Sequence, residues 1–379
     1  MTTLAWPVFW ICAGLLAYVY AGYPLLTALL ARLFPRPARA AEIEPSVSFV
    51  ILAYNEEADI AAKLENTLAL DYPADRLEVV VASDGSTDRT DAIASSFADR
   101  GVRLFRADEH PGKTETTNRV VRETSGEVLV FSDATGLWEP GALRALVRGF
   151  ADPDVGAVSG RVVYTYPAAA SARGFRAYQH WIVFARRAES IWGTETSVSG
   201  SICAVRRALF TALPAHLDFD MAHPLHVAMA GLRTVYEADA ISHESARSSA
   251  RSEFDARVRM AMLAYGFLPY LVRSLPRVRR PVYVFAVLSH KVARWLAPLA
   301  LVTLLISSAA LATESAWIAA LLAAQLAVYA AAWAGRREGA TAGRLLGIPL
   351  FFVTLHLAFL RALVRVLRGE RIGRWQPER

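Results

Sequence analysis

Apolar residues follow two different rhythms along this chain. Between about residues 46 and 250 they come in short β-branched runs, such as VSFVILA at 47–53 and LEVVVAS at 77–83. Each run ends in carboxylates and small polar residues, the pattern of a strand followed by a turn. A run at Val102–Phe105 precedes a helical stretch around Glu115–Thr124, and the strand-like Val128–Phe131 ends in Ser132-Asp133-Ala134. Gly141–Phe150 has helical spacing, Val155–Tyr164 is strand-like, and residues 172–191 form an aromatic-rich helical segment. The small apolar run Val198–Val205 and a helix at Asp220–Ala230 complete the series. This succession predicts an α/β fold with a mostly parallel sheet and helices on both faces. In such sheets ligands bind at the carboxyl ends of the strands. Carboxylates gathered there would repel one another unless they bind a metal, a hydroxyl-rich ligand or a base edge.

Outside this middle region the apolar runs are continuous. Val8–Leu30 is long enough to cross a bilayer as a helix, carries no charge before it, and is followed by Arg32, Arg36 and Arg39. That charge order is the reverse of a secretory leader and predicts an anchor with its N-terminus outside and the next domain in the cytoplasm. The Pro- and Ala-rich stretch Pro35–Pro45 reads as a linker. Three further apolar stretches follow at Val282–Ala310, Trp317–Ala334 and Leu345–Leu360. His290, Lys291 and Arg294 interrupt the first; either its opening part lies flat at the interface, or these side chains snorkel from a helix end. Three crossings after the domain would put Arg361–Arg379 outside, against the positive-inside rule. Either the last stretch does not fully cross, or the rule fails here. The expected organisation is an anchor at 1–34, a linker at 35–45, a catalytic-sized domain at 46–250, an interfacial helical segment at 251–280, and membrane helices with a basic tail at 281–379.

Composition narrows the partners. The formal charge of +6 comes almost wholly from arginines beside the apolar segments; Lys63, Lys113 and Lys291 are the only lysines. This placement points to the lipid bilayer and a cytoplasmic flank rather than to nucleic acid. The two cysteines, Cys12 and Cys203, leave no disulfide framework and no cysteine metal site.

Five groups carry candidate chemistry. Tyr54-Asn55-Glu56-Glu57 follows the first strand; its carboxylates suit hydroxyl or N–H donors of a nucleotide, or a helix N-terminus. Within Ser83-Asp84-Gly85-Ser86-Thr87-Asp88, Asp84 reads as functional and Asp88 as a helix cap. Gly112-Lys113 offers a compact ammonium for phosphate, Phe131-Ser132-Asp133-Ala134-Thr135 a carboxylate for a hard divalent ion, and Asp218-Phe219-Asp220 a carboxylate at a helix start. The first strand runs into YNEE rather than Gly-x-Gly-x-x-Gly, which excludes a dinucleotide-binding site of the usual kind.

Taken in order, these motifs make residues 46–368 resemble a family-2 glycosyltransferase with the GT-A fold, of the membrane-bound type that includes polysaccharide synthases and lipid glycosyltransferases. The resemblance implies that Tyr54, Asn55, Glu56 and Glu57 lie under the nucleotide, that Asp84 contacts its base, and that Lys113 lies near the donor phosphates. It implies Mg or Mn held at Asp133, although the family's Asp-x-Asp ends here in Thr135. Asp220 takes the place of the general base, with Asp218 the runner-up. The region of Tyr178, Trp181 and Ser199–Arg207 corresponds to the acceptor side; an aromatic core helix accounts equally well for Tyr178 and Trp181. The Gln-x-x-Arg-Trp of processive relatives is matched by Ala256, Arg259 and Met260, so of the motif only the arginine remains, and Arg259, alone or with Arg257, would hold the diphosphate.

The implied function is inverting, metal-dependent transfer from a nucleotide-sugar, expected to be a UDP-sugar, to a membrane lipid or glycan acceptor. The implied location is a multi-pass protein of a bacterial-type inner membrane, with polysaccharide-export partners. The alternatives are a processive synthase and a catalytically silent membrane scaffold.

Overall fold

The computed structural model describes residues 2–165, 172–245, 250–337 and 343–370; the tail at 371–379 lies outside the described residues. Helix α1 (Thr2–Ala17) passes through a π-helical turn at Tyr18–Gly22 into α2 (Tyr23–Leu33). An extended segment then leads to β1 (Val47–Ala53), in which every residue is buried. There follow α3 (Ile60–Leu68), β2 (Leu77–Ser83), α4 (Thr90–Ser95), β3 (Val102–Arg106), α5 (Lys113–Arg122), β4 (Val128–Asp133) and β5 (Leu137–Trp138). Then come α6 (Ala142–Arg148), β6 (Val155–Thr165), α7 (Ala172–Trp192), β7 (Cys203–Arg206), α8 (Phe219–Met229) and β8 (Arg233–Ser245).

Among the described residues the strands form one eight-stranded sheet in the order β3-β2-β1-β4-β7-β6-β8-β5. The half made of β3, β2, β1 and β4 is parallel throughout, as expected for β-α-β units. The other half is mixed: β7 runs antiparallel to β4 and β6, β8 is parallel to β6, and β5 antiparallel to β8. Alternate residues of β1 explain the two layers of helices. Phe49 and Ile51 pack with Ile60 and Leu64 of α3 and Leu143 and Leu146 of α6, while Val50 and Leu52 pack with Val120 of α5 and Val227 of α8.

The structure departs from the sequence pattern at two places. The run Val198–Val205 is not one strand: Ser199 and Ile202 bridge to close a tight turn, and β7 begins only at Cys203. The small apolar residues of that run serve a loop crossing the end of β4. Strand β8 had no counterpart in the sequence reading, because Glu237 and Asp239 break its apolar pattern and its pairing with β6 shifts register.

The remainder is helical: α9 (Ala250–Ser274), α10 (Pro281–Ala286), a π-helical turn at Val287–Val292, α11 (Ala293–Leu311), α12 (Ala316–Arg337) and α13 (Gly343–Leu367). Among the described residues four helical stretches are long and apolar enough to cross a membrane: Thr3–Leu33, Pro281–Leu311, Ala316–Arg336 and Leu346–Leu367. Phe9 and Cys12 of α1 pack on Ala300, Leu304 and Leu311 of α11 and Ile318 of α12. Helix α13 is held along its length by the other part of the protein. Phe351 and Leu355 pack on Phe175 of α7, and Ala358 and Ala362 on Val258, Ala261 and Met262 of α9.

The entry to β4 is the tightest backbone approach in the sheet. The amide of Gly126 donates to Ser48 Oγ at 2.8 Å, and a Cβ at this position would collide with the backbone of Val47 and Ser48. Gly126→Ala is expected to destabilise the domain by about 1–3 kcal/mol or more, read as a lower thermal midpoint of the full chain in detergent. An unchanged midpoint would mean that β1 and β4 can separate at this end without cost.

Candidate active site

The carboxyl ends of β1, β2 and β4 meet the starts of α5 and α8, and the predicted residues fall into two groups there. The first surrounds Asp84, which is 2% exposed. Its Oδ1 accepts from the Gly112 amide at 2.9 Å and the Thr116 hydroxyl at 2.6 Å, and its Oδ2 lies 2.9 Å from His110 Nδ1. Gly85 (φ +71°) lets the 107–112 loop close over this turn, since a Cβ there would lie 2.8 Å from the His110 nitrogen. The His110 ring in turn stacks on Tyr54, with centroids 3.8 Å apart.

The YNEE turn is stitched to the neighbouring turn. Asn55, at φ 54°, accepts from the Thr87 amide at 2.8 Å and donates its own amide to Ser86 Oγ at 3.1 Å. The Glu56 amide donates to Thr90 Oγ1 at 2.8 Å, and Glu57 Oε2 accepts from the Arg89 amide at 3.2 Å. Asp88 accepts from the Thr90 amide at 2.9 Å, so it caps the start of α4 as its residue type suggested.

The second group is electrostatic. Lys113, the first residue of α5, places Nζ 2.7 Å from Asp133 Oδ1, and Ser201 Oγ donates to Asp133 Oδ2 at 3.1 Å. Asp218 caps α8 by accepting from the Asp220 amide at 2.9 Å, while Asp220 Oδ2 accepts from the Gly200 amide at 3.2 Å. The runner-up base therefore has a helix-capping task, and Asp220 is the carboxylate turned towards Lys113. The approach is close: a Cβ on Gly200 would lie 3.0 Å from Asp220 Oδ1 and 3.3 Å from Lys113 Nζ.

The charges act on one another through this cluster. Burial pushes the Asp220 carboxyl up to about 8; Asp218 and Asp133 add to the rise and Lys113 opposes it. For Asp133, burial also works against the charged form, but the Lys113 ammonium and the Ser201 hydroxyl outweigh it and hold the carboxyl below its usual range. Burial likewise works against the Lys113 charge, yet Asp133 and Asp220 keep its ammonium above its ordinary value.

Three members of the site had no role in the sequence reading. Glu244, near the end of β8, is pushed up to about 7 by burial and then by Asp133, and its Oε1 is buried with no hydrogen-bond partner among the described residues. Lys63 is fully buried, donates to the Gly136 carbonyl at 2.6 Å, and lies over the rings of Phe49 and Trp138; burial lowers it to about 7. His110 is the third. Lys63 had a signal, as one of three lysines, whereas Glu244 lay on a strand the pattern did not reveal.

His223 lies on α8, one turn on from Asp220. It is 2% exposed, stacked against Phe131 and Phe219, and burial lowers it to about 3. Arg259 is half-buried on α9. Its neighbour Arg257 pairs with Glu253 at 2.7 Å and lies over Phe175, Tyr178 and Phe351, an aromatic box rather than a phosphate site.

A divalent ion fits the donor set beside Asp133 only as a partner of substrate oxygens. Asp133, whose oxygens here meet Lys113 and Ser201, and the orphaned Glu244 oxygen would supply carboxylate ligands, and among the described residues no cluster of three His, Cys, Asp or Glu forms a closed cage. Mg and Mn are commonly held in this way, by one or two carboxylates with the substrate's phosphates completing the shell.

The sheet, parallel in one half and mixed in the other, is GT-A-like, and Asp84, Asp133 and Lys113 lie beside its strand ends. Residues 48–213 match the model of Glycosyl transferase family 2. The chain is similar to the beta-monoglucosyldiacylglycerol synthase of Synechocystis, at 36% identity over 121 residues, 31% of this chain and 25% of that protein. It is 24% identical to an N-acetylglucosaminyltransferase of Rhizobium meliloti over 330 residues, 81% of this chain and 77% of the other. The first curated relatives are matched over only 25–41% of their own lengths. Among solved structures, the mannosyltransferase PcManGT from Pyrobaculum calidifontis, in complex with GDP-Man and Mn2+, superposes with a TM-score of 0.73 at 26% identity. That match covers 96% of this chain and 99% of that one.

Lys113→Met leaves Asp133, Asp218 and Asp220 without their cation. It is expected to destabilise the protein by about 1–3 kcal/mol, with a greater loss at pH 9 than at pH 6, because the carboxylates repel only when ionised. Thermal unfolding at the two pH values measures this; an equal loss at both would assign Lys113 a packing role.

Proposed function

We propose that this protein is an inverting, metal-dependent glycosyltransferase that moves a sugar from a nucleotide-sugar donor to a membrane-associated acceptor. The observation that carries the reading is the convergence of Lys113, Asp133 and Asp220 at the strand ends. Asp84, with Tyr54, Asn55, Glu56 and Glu57 around it, forms the nucleotide end. Lys113 meets the diphosphate, and Asp133 with Glu244 holds the divalent ion that neutralises it. Arg259 is assigned to the leaving group.

Asp220 takes the proton of the acceptor hydroxyl. As that oxygen forms its bond to the anomeric carbon, the bond from this carbon to the diphosphate breaks on the opposite face, and the nucleotide diphosphate departs with the electron pair. A base whose carboxyl is raised by burial accepts the proton more readily than an ordinary aspartate, at the cost of being protonated in more of the free enzyme near neutral pH.

The domain at 46–250 then sits on the cytoplasmic face of a membrane crossed by the N-terminal anchor and by the helices from Pro281 to Arg336. Helix α13 lies along the membrane surface rather than through it. Its contacts with α7 and α9 from Phe351 to Ala362 support this, although its first turns, at Leu346 and Leu350, pack on Gly335 of α12. The contacts with α7 and α9 keep Arg361, Arg365 and Arg368 on the catalytic side, in line with the positive-inside rule. Loss of the glutamine and tryptophan beside Arg259 favours single additions over processive synthesis.

Nucleotide release measured on a panel of UDP- and GDP-sugars with native lipid as acceptor tests the reading. Asp220→Asn is expected to lower transfer by about 10²–10⁴-fold while donor affinity stays within about threefold. Normal turnover by that variant would remove Asp220 from the mechanism.

The wild-type kcat/KM is expected to rise with pH through about 8, because only the deprotonated Asp220 accepts a proton. A flat profile from pH 6 to 9 would contradict a base of raised pKa. In Asp133→Ala the gain in donor affinity on adding Mn2+ is expected to vanish; an intact metal response would put the ion elsewhere.

A further inference from the structure

We propose that Lys291 and Arg294 form a binding site for the phosphate of a lipid-linked acceptor, at the headgroup level of the membrane and one loop away from Asp220. This rests on the transferase reading and narrows its acceptor to a phosphate-bearing lipid rather than a neutral glycolipid.

Depth comes first. Pro281–Leu311 has 31 residues, more than the roughly 20 a crossing requires. Leu311 packs beside Phe9 and Ile318 at the far end of the bundle. Counting about 20 residues back from it reaches Val292. Counting forward from Thr3 reaches the Tyr18–Gly22 turn by the same measure. The two estimates agree with the contacts, for the Tyr18 hydroxyl donates to Ser289 Oγ at 2.8 Å, joining the two π-helical turns. Lys291 and Arg294 therefore stand at the border between hydrocarbon and headgroups on the catalytic side.

Charge comes second. Two carboxylates lie in this layer and both are engaged. Glu195 pairs with Arg186, and Glu189 accepts from the Tyr23 hydroxyl at 2.6 Å and from His290 Nδ1 at 2.6 Å. With Nδ1 donating, His290 Nε2 is an acceptor, and Arg294 Nη1 lies 3.4 Å from it, with the guanidinium 5.9 Å from the Trp181 ring. Lys291 Nζ donates to Ser197 Oγ at 2.7 Å. Among the described residues neither Lys291 nor Arg294 forms an ion pair: their direct contacts are neutral, and the Glu189 and Glu195 carboxylates act on Lys291 only from beyond contact distance. Such charges at a membrane border are costly and mark a binding function, and the anion within reach is a lipid phosphate.

Position comes third. Ser197 begins the loop that reaches the proposed base: the Val198 amide donates to the Asp220 carbonyl at 2.8 Å and the Gly200 amide to Asp220 Oδ2 at 3.2 Å. A phosphate held by Lys291 and Arg294 directs the group attached to it along this loop towards Asp220, with the lipid tail left in the bilayer.

The test uses the full chain in phosphatidylcholine nanodiscs and measures binding of a short prenyl monophosphate and of the corresponding prenol. Wild type is expected to bind the phosphate at least tenfold more tightly than the alcohol. Lys291→Gln combined with Arg294→Gln is expected to lose that preference. Ser197→Ala, which keeps both charges, is expected to stay within about threefold of wild type. Nucleotide-sugar binding is followed in parallel as the check on folding.

Equal affinity for phosphate and alcohol, or an undiminished preference in the double variant, would overturn the proposal. Displacement of the probe by phosphatidylglycerol at its ordinary bilayer fraction would do so too, by making the site one for bulk anionic lipid. Because binding is read without turnover, a protein that binds the phosphate yet transfers no sugar would overturn the transferase reading and leave this site standing.

Discussion

A single ammonium group makes the acidic centre of this protein possible. Two unit charges about 4 Å apart repel by about 4 kcal/mol at an effective dielectric constant of about 20, and Asp133, Asp218 and Asp220 converge in a largely buried space. Lys113 Nζ, 2.7 Å from Asp133, supplies the opposing charge. Its position follows from the fold: β4 delivers Asp133 at its end, α5 begins at Lys113, and α8 begins beside Asp220. Sheet order, helix starts and charge balance are thus one constraint seen at three levels.

The second constraint is the loop at 194–201, which holds both Asp133, through Ser201, and Asp220, through Gly200. It is fastened from several sides. Arg186 pairs with Glu195 and donates to Ser159, whose hydroxyl also accepts from the Ser199 amide at 2.9 Å. Lys291 reaches the same loop from the helices that span the membrane in the proposed arrangement. The carboxylate proposed as base is therefore oriented by a loop with one attachment in the sheet and another on the π-helical turn at Val287–Val292.

The parts of the site legible in the sequence were those that depend on local chain chemistry. Asp84 and Asp133 end short β-branched runs, and Asp88 and Asp218 precede helices and cap them, as short acidic residues do. The YNEE turn was legible as a turn, but not its task. Asn55, Glu56 and Glu57 join the β1 and β2 turns through Thr87, Thr90 and Arg89, more than thirty residues away. Glu244 was illegible because β8 is an irregular strand whose pairing with β6 decides where its end lies. The burial of His223 between Phe131 and Phe219 was equally illegible, because helical spacing says which residues share a face, not whether an aromatic neighbour covers it.

By itself, the amino-acid order determined the alternation of strands and helices in the middle, the apolar stretches at either side, and which carboxylates end strands. These are properties of adjacent residues and of periodicity, and they survive any arrangement of the pieces. Only the tertiary structure decided that β7 runs backwards, that Lys113 stands between Asp133 and Asp220, and that α13 lies along α7 and α9. It also decided that, among the described residues, Lys291 and Arg294 form no direct ion pair. Those outcomes depend on distances between segments remote in sequence, where burial and Coulomb energy, rather than local propensity, select the neighbours.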